Sequence, residues 1–295
     1  MPLYKTLSEH YKERFGCKVY KLSLDGGFTC PNRDGTKGVG GCIFCSEGGS
    51  GEFAERVCPE TVENALVAAK KRVRQKVGHG KYIAYFQSFS NTYGDPEYIE
   101  RLFSEALAPD YIVGLACATR PDCLPPAIIE VLARLNKIKP ITVELGLQSA
   151  NEKTAEYIRR GYETSEYFDA VRRLHDSGIE VVTHIIIGLP GETPEDAVNT
   201  TLAAVKAESE GVKFHTLHVL KNTDLAKEWQ NGAFSCLSLE EYAAALCECI
   251  KVLPKETVVH RITGDGAKKD LLAPLWTADK KRVLNYLYKY LEENL

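Results

Sequence analysis

Glu180-Val-Val-Thr-His-Ile-Ile-Ile187-Gly188-Leu-Pro-Gly191-Glu192-Thr193-Pro194 contains one whole structural unit. Residues 180–187 read as a strand, and Gly188 to Thr193 closes it with the Gly and Pro of a turn. Thr193 stands at an N-cap and Pro194 at the first helical position, so a helix follows to about Glu208. The same alternation extends in both directions. Upstream lie strands at Val19–Leu24, Tyr82–Phe86, Tyr111–Ala118 and Ile141–Leu147. Between them a helix over Glu60–Lys76 carries Val62, Leu66, Ala69 and Val73 at helical spacing. Others run from Pro96 to Leu107 and from about Pro126 to Leu135. Asn151 caps a short helix to about Arg159, and Thr164–Ser177 forms another, ended by Gly178. Downstream come a strand at Val212–Leu220, a helix at Leu239–Leu253, a further strand at Thr257–Ile262 and a final helix at Asp279–Leu291. Residues 3–15 read as a short amphipathic helix.

Six strand–helix alternations favour a parallel sheet with right-handed crossovers. Six units are fewer than the eight of a closed barrel. The expected fold class is therefore α/β, a partial (β/α)6 TIM-like barrel with N- and C-terminal helical extensions. It is expected as a single domain over 1–295, with a core of about 19–263 and a C-terminal extension of about 264–295.

The chain has 295 residues and a formal net charge of −3, so no global basic field marks it for nucleic acid. No apolar run approaches the roughly 20 residues of a membrane span. Met1 to Phe15 has no apolar signal-peptide core. Ten cysteines in such a chain fit a reducing cytoplasm better than a disulfide scaffold.

In a parallel sheet the chemistry sits at the carboxyl ends of the strands. The unusual residues fall there. The first strand is followed by Cys30-Pro-Asn-Arg-Asp-Gly-Thr-Lys-Gly-Val-Gly-Gly-Cys42-Ile-Phe-Cys45. Gln87 to Thr92, Thr119-Arg120, Gln148-Ser149, Gly188 to Glu192 and Lys221 to Thr223 follow the next five strands. Three thiolates are one short of a closed zinc site. A cubane iron–sulfur cluster held by three cysteines leaves one iron open. Gly38, Gly40, Gly41, Gly48, Gly49 and Gly51 would let the backbone wrap a bulky cluster. Spacing alone leaves three readings open: a cluster, a zinc loop with its fourth ligand elsewhere, or three buried thiols.

Taken together, the cysteine trio, Thr119-Arg120-Pro121-Asp122, Val143-Glu144-Leu145-Gly146-Leu147-Gln148-Ser149 and Ile187-Gly188-Leu189-Pro190-Gly191-Glu192-Thr193 resemble the radical-SAM superfamily. The resemblance runs from about Val19 to Thr263. It is closest to the branch of the Elongator catalytic subunit, and within it to the YhcC/YtqA-like group. The usual superfamily spacing is C-x3-C-x2-C; here the first gap is eleven, as in that group. The resemblance implies that Cys30, Cys42 and Cys45 hold a [4Fe-4S] cluster whose open iron is chelated by S-adenosyl-L-methionine (SAM). Gln87, Ser88 and Asn91 would line the SAM methionine. Glu144 and Gln148 would sit near its ribose, and Arg160 near its carboxylate. Gly188 to Gly191 would let the backbone approach adenine. The resemblance also implies tRNA as substrate, with a wobble-uridine carboxymethylaminomethyl group converted to aminomethyl. An electron donor such as flavodoxin or ferredoxin is implied as well.

Two basic clusters could meet phosphates: Lys70, Lys71, Arg72, Arg74 and Lys76, and Lys268, Lys269, Lys280, Lys281 and Arg282. The second is interleaved with Trp276, Tyr286, Tyr288 and Tyr290, which could stack on bases. Either cluster also reads as a solvated helix face, the first more so than the second. His184, His215 and His218 read as ordinary strand residues, and Cys117, Cys123, Cys247 and Cys249 as free thiols. Gly264 to Lys269 lacks the spacing of a P-loop. Two alternatives stand beside the tRNA reading: a radical-SAM enzyme acting on a small molecule or protein, and a non-enzymatic zinc-binding adaptor.

Overall fold

The computed structural model describes residues 3–49, 54–77, 80–264, 266 and 268–295, with residues 74–77 by their backbone alone. Gly51, Asp265 and Ala267, and the side chains of Arg74 and Lys76, lie outside the described residues. The first half of the chain forms β1 (Lys5–Thr6), α1 (Leu7–Phe15), β2 (Val19–Asp25), β3 (Glu55–Arg56), α2 (Val62–Val77), β4 (Lys81–Phe86), α3 (Pro96–Leu107), β5 (Ile112–Thr119) and α4 (Pro126–Asn136). Then come β6 (Ile141–Gln148), α5 (Glu152–Tyr157), α6 (Thr164–Asp176), β7 (Glu180–Ile187), α7 (Pro194–Lys206) and β8 (Gly211–Thr216). The chain ends with β9 (Val219–Leu220), α8 (Asp224–Gln230), α9 (Leu239–Lys251), β10 (Val258–Arg261), β11 (Leu271–Ala273) and α10 (Lys280–Asn294).

Among the described residues nine strands form one sheet in the order β1-β10-β8-β7-β6-β5-β4-β2-β3. Its pairings are parallel from edge to edge. The sheet is curled. Lys213 Nζ on β8 donates to Tyr85 Oη on β4 at 2.8 Å, although β7, β6 and β5 lie between those strands. In a flat sheet the two backbones would stand about 19 Å apart, beyond the combined reach of the two side chains.

Alternation along each strand then separates two environments. Leu22, Leu24, Ala84, Phe86, Leu115, Val143, Leu145 and Leu147 point outward and pack with residues of α2, α3, α4 and α6. Ile185, Ile187, Val212, Phe214 and Val259 do the same beneath α7, α9 and α10. Lys21, Tyr85, Glu144, His184 and Lys213 point inward. The amino ends of the strands are stopped by α1, where Tyr11 packs on Ile83, Tyr85 and Ala116. Thr6 and Glu9 fix the start of that helix with a reciprocal capping box.

The partial barrel stands as expected, with differences in detail that include the following. The strand expected over Val212–Leu220 is broken. Leu217 N still donates to Ile187 O at 3.2 Å, but β9 leaves the sheet and pairs antiparallel with β11. Residues 5–6, expected as helix, pair with β10 as a short edge strand. The helix α8, whose Thr223 cap accepts from Ala226 N, was not read from the sequence.

Candidate cluster and cofactor site

The loop from Thr29 to Cys45 lies on the carboxyl rim of the sheet and is docked at several points. Asn32 Nδ2 donates to the carbonyls of Arg159 (2.6 Å) and Arg160 (3.0 Å). A Cβ on Gly161 would come within 2.5 Å of Asn32 Oδ1, so this contact needs glycine there. Arg33 donates to the carbonyls of Cys45 and Ser46 and lies over the Phe89 ring. Lys37 Nζ reaches Asp122 at 2.8 Å, and Asp122 in turn holds Arg120 through both carboxylate oxygens. Ile43 is pinned between Ile158 O and Leu225 N. The loop therefore bridges the ends of β4, β5 and β6.

Cys30, Cys42 and Cys45 are all free and half-buried. Burial pushes the Cys42 thiol up to about 12, and Cys45 also rises. Arg120 and Arg33 oppose these shifts and would favour thiolates. Such thiols ionise readily only against a metal. Among the described residues no three His, Cys, Asp or Glu side chains converge on one ion. A cubane places its cysteines on different irons, so it asks for three neighbouring thiols rather than one coordination sphere. The donor set and its glycine-lined wrapping, with Gly40 and Gly41 at positive φ, fit such a group.

The segment after β4 lies beside this loop, with Ser90 N donating to Thr29 O at 3.2 Å. Asn91 Nδ2 ties the end of β4 to that of β5 through Phe86 O and Ala118 O. Ser88 Oγ and Asn91 Oδ1 are buried without a partner, which leaves two polar atoms available to a ligand. Gln87 Oε1 accepts from Ser23 at 3.3 Å. Gln148 ends β6 with a φ of 66°, a strained conformation for a residue other than glycine. Gly188 and Gly191 follow β7 at φ 93° and 81°, and at Gly191 a side chain would meet only open space. Glu192, read only as part of the turn, accepts from the Ser149 hydroxyl through one oxygen. Its other oxygen is buried without a partner, and burial raises its pKa.

Two expected SAM contacts are placed differently. Glu144 lies within β6, below the rim, and is fully buried. Lys21 Nζ donates to one of its oxygens. Tyr85 Oη (2.8 Å), His184 Nε2 (2.7 Å) and Lys213 Nζ (2.7 Å) converge on the other. Both oxygens are spent inside the barrel, so the ribose expectation is corrected to a charge-pairing role. Arg160 is 1% exposed and donates to the carbonyls of Leu147, Ser149 and Tyr162, and to Thr164 and Glu152. With its donors committed it braces the turn after β6, and the carboxylate it reaches is that of Glu152 at 3.4 Å. Arg160→Gln is therefore expected to cost on the order of 3 kcal/mol of stability, since it strips several buried carbonyls of their partner. SAM affinity should stay within about threefold, less than 0.7 kcal/mol. Denaturation of the apoprotein and SAM binding to the folded holoprotein check this; lost affinity at unchanged stability would restore the ligand role.

Sequence reasoning missed Lys21, Tyr85, Lys213 and Arg261 and set His184 and His215 aside. The signal was present in Lys21 and Lys213, which stand on inward positions of strands that are otherwise largely apolar. His184 and His215 have ring centroids 4.8 Å apart, and Arg261 donates to His215 Nδ1 at 2.6 Å.

Residues 30–203 match the model of the Radical SAM superfamily, and 209–293 match the Radical_SAM C-terminal domain. The chain is 43% identical to YtqA of Bacillus subtilis over 98% of its own length and 89% of that protein. It is 35% identical to YhcC of Escherichia coli, over 95% and 90% respectively. It is 26% identical to a tRNA uridine(34) acetyltransferase of Methanocaldococcus jannaschii over 62% of this chain and 33% of that enzyme. The structure of the archaeal Methanocaldococcus infernus Elp3 superposes with a TM-score of 0.71 at 20% identity, over 93% of this chain and 63% of that one. The chain belongs to the radical-SAM superfamily, which uses a [4Fe-4S] cluster and S-adenosylmethionine, and within it to the YhcC/YtqA-like group of the Elp3-like branch.

Proposed function

We propose that this protein is a radical-SAM enzyme that modifies tRNA, converting a carboxymethylaminomethyl group on the wobble uridine to aminomethyl. Cys30, Cys42 and Cys45 are the ligands of its cluster. Ser88, Asn91, Gln148 and the Gly188–Gly191 turn are its SAM contacts, with Gln87 beside them. When bound, the cluster and SAM supply a radical able to take a hydrogen atom from an unactivated C–H bond. The chain's own contribution is to hold the reactants on the rim and to close the far end of the barrel with α1, limiting water. A one-electron donor such as flavodoxin or ferredoxin serves it. Ten unpaired cysteines suit a reducing cytoplasm. Because β8 and β10 complete the same sheet, we treat 1–295 as a single domain.

The observation that carries the tRNA reading is where the second basic cluster lies. Leu237 packs against Gly188 on the rim, and its carbonyl accepts from Trp276 Nε1 at 2.9 Å. Lys280, Lys281 and Arg282 open α10 immediately after, all exposed. Three cations at a helix N-terminus oppose the macrodipole, so a role outside the helix accounts for them better than helix stability does. The aromatic part of the expectation narrows. Trp276, Tyr286 and Tyr290 are partly buried against the core, and Tyr288 alone of the four is exposed. The first cluster is disfavoured, because Lys70 lies over Tyr111 at the amino end of β5, away from the rim, and Arg72 pairs with Glu55.

The test is anaerobic reconstitution, reduction, and incubation with SAM and tRNA bearing carboxymethylaminomethyluridine. 5′-Deoxyadenosine and an aminomethyl nucleoside are expected together. Changing Lys280, Lys281 and Arg282 to Glu should weaken tRNA binding at least about tenfold and flatten its log–log salt slope by roughly 2–3. Unchanged binding would remove the patch. SAM cleavage that proceeds equally without tRNA would point to a small molecule or protein as substrate.

A further inference from the structure

One cation of the cysteine loop has no counter-charge. Lys37 and Arg120 are matched by Asp122 and Glu166. Arg33 meets no carboxylate among the described residues. Its side chain donates instead to the neutral carbonyls of Cys45, Ser46 and Glu47. Its Nε–H is buried without an acceptor. An unspent donor on an unmatched cation, inside a loop of three thiols, calls for an explanation.

The loop is shaped around that guanidinium. Arg33 N closes a turn onto Cys30 O at 2.8 Å, while Nη2 reaches Cys45 O at 3.2 Å. One residue thus ties the first thiol of the trio to the third. A Cβ on Gly41, the neighbour of Cys42, would stand 3.0 Å from Arg33 Nε. The guanidinium carbon lies 5.2 Å from the centre of the Phe89 ring. Phe89 is itself held at φ 57°, and a Cβ on Gly49 would come within 3.0 Å of its ring. Docking alone does not ask for this much. Asn32 docks the same loop through two carbonyls with no such seat. A strained aromatic and two cleared glycines instead fix where one charge stands. Burial raises the Cys45 thiol, and the Arg33 charge opposes it.

Resting on the assignment of Cys30, Cys42 and Cys45 as ligands, we propose that Arg33 is a positioning residue whose unmatched charge raises the reduction potential of the cluster. In the step concerned one electron passes from the one-electron donor to the cluster. The donor is oxidised and the cluster reduced, and no bond or proton is exchanged. The reduced form carries one more negative charge, so a fixed cation beside the thiolates favours it.

The experiment titrates the reconstituted full-length protein anaerobically without SAM and follows the reduced cluster by electron paramagnetic resonance, which reads loaded protein only. In Arg33→Gln the ratio of reduced to oxidised cluster at a given potential should fall about tenfold, which is about 59 mV for a one-electron couple. Arg33→Lys keeps the charge and should stay within about threefold of the wild type. Arg33→citrulline keeps the side chain's shape and its contacts with Cys45 and Ser46 and removes the charge. It is made by joining a synthetic peptide of residues 1–41 to residues 42–295 at Cys42. It should match Arg33→Gln, and it decides the matter if that variant takes up no cluster. A residue that only docks the loop would lower iron content and leave the potential of the loaded fraction unchanged. That result, or a lysine variant shifted as far as the glutamine one, would overturn the proposal. A wild type that takes up no cluster would reject the ligand assignment itself, and this proposal with it.

Discussion

Cys42→Ala is expected to yield a folded protein that retains little iron or sulfide and cleaves no detectable SAM, a loss on the order of 10³-fold or more. Cys42 stands between its two neighbours in the chain. Its thiol is perturbed by both Cys45 and Cys30, and Asn32 Nδ2 lies 3.7 Å from its sulfur. On the proposed assignment, removing one of three ligands would leave a second iron without protein anchorage, while the loop keeps its dockings through Asn32, Arg33 and Lys37. Cys247→Ala is the control: this thiol lies on α9, buried in the outer core, and its loss should leave iron content unchanged. Iron and sulfide analysis with 5′-deoxyadenosine quantification reads both variants. Full cluster content in Cys42→Ala would mean that the ligands have been misassigned.

Glu144→Ala is expected to lower stability by about 3–5 kcal/mol, the usual cost of leaving buried charges without their counter-ion. Lys21 and Lys213 would face each other inside the barrel, and Tyr85 and His184 would lose an acceptor. At the size of this chain that amounts to a fall of roughly 5–8 °C in the thermal midpoint. Glu144→Gln keeps the shape but not the charge, and should fall between wild type and alanine. Denaturant unfolding of the apoprotein separates this from a direct SAM contact. A ribose ligand would lose SAM affinity at nearly constant stability; a charge-pairing residue loses stability first.

Much of this molecule was legible because strand period and helix period are local properties. The stretch from Glu180 to Pro194 displays a strand, a glycine turn and a capped helix, and the structure keeps their limits at Glu180–Ile187 and Pro194. The cysteine loop was legible for a related reason: ligand type and spacing are written in the chain. The break in the expected strand at residues 212–220 was not, because β9 leaves for β11, a partner some fifty residues away in sequence. The basic segment at Lys280 was visible as charge, but its position beside the rim depends on Leu237 and Trp276.

Sequence alone determined the class of fold, the superfamily, the three thiols and the rim on which they stand. Only the tertiary structure decided what Glu144 and Arg160 do. Each was plausible as a ligand by position, and each turned out to have its hydrogen-bonding groups committed to partners from other elements. A buried charge takes its role from whatever meets it across the curled sheet. Lys21, Glu144 and Lys213 stand on strands far apart in the chain, and curvature alone brings them within hydrogen-bond distance.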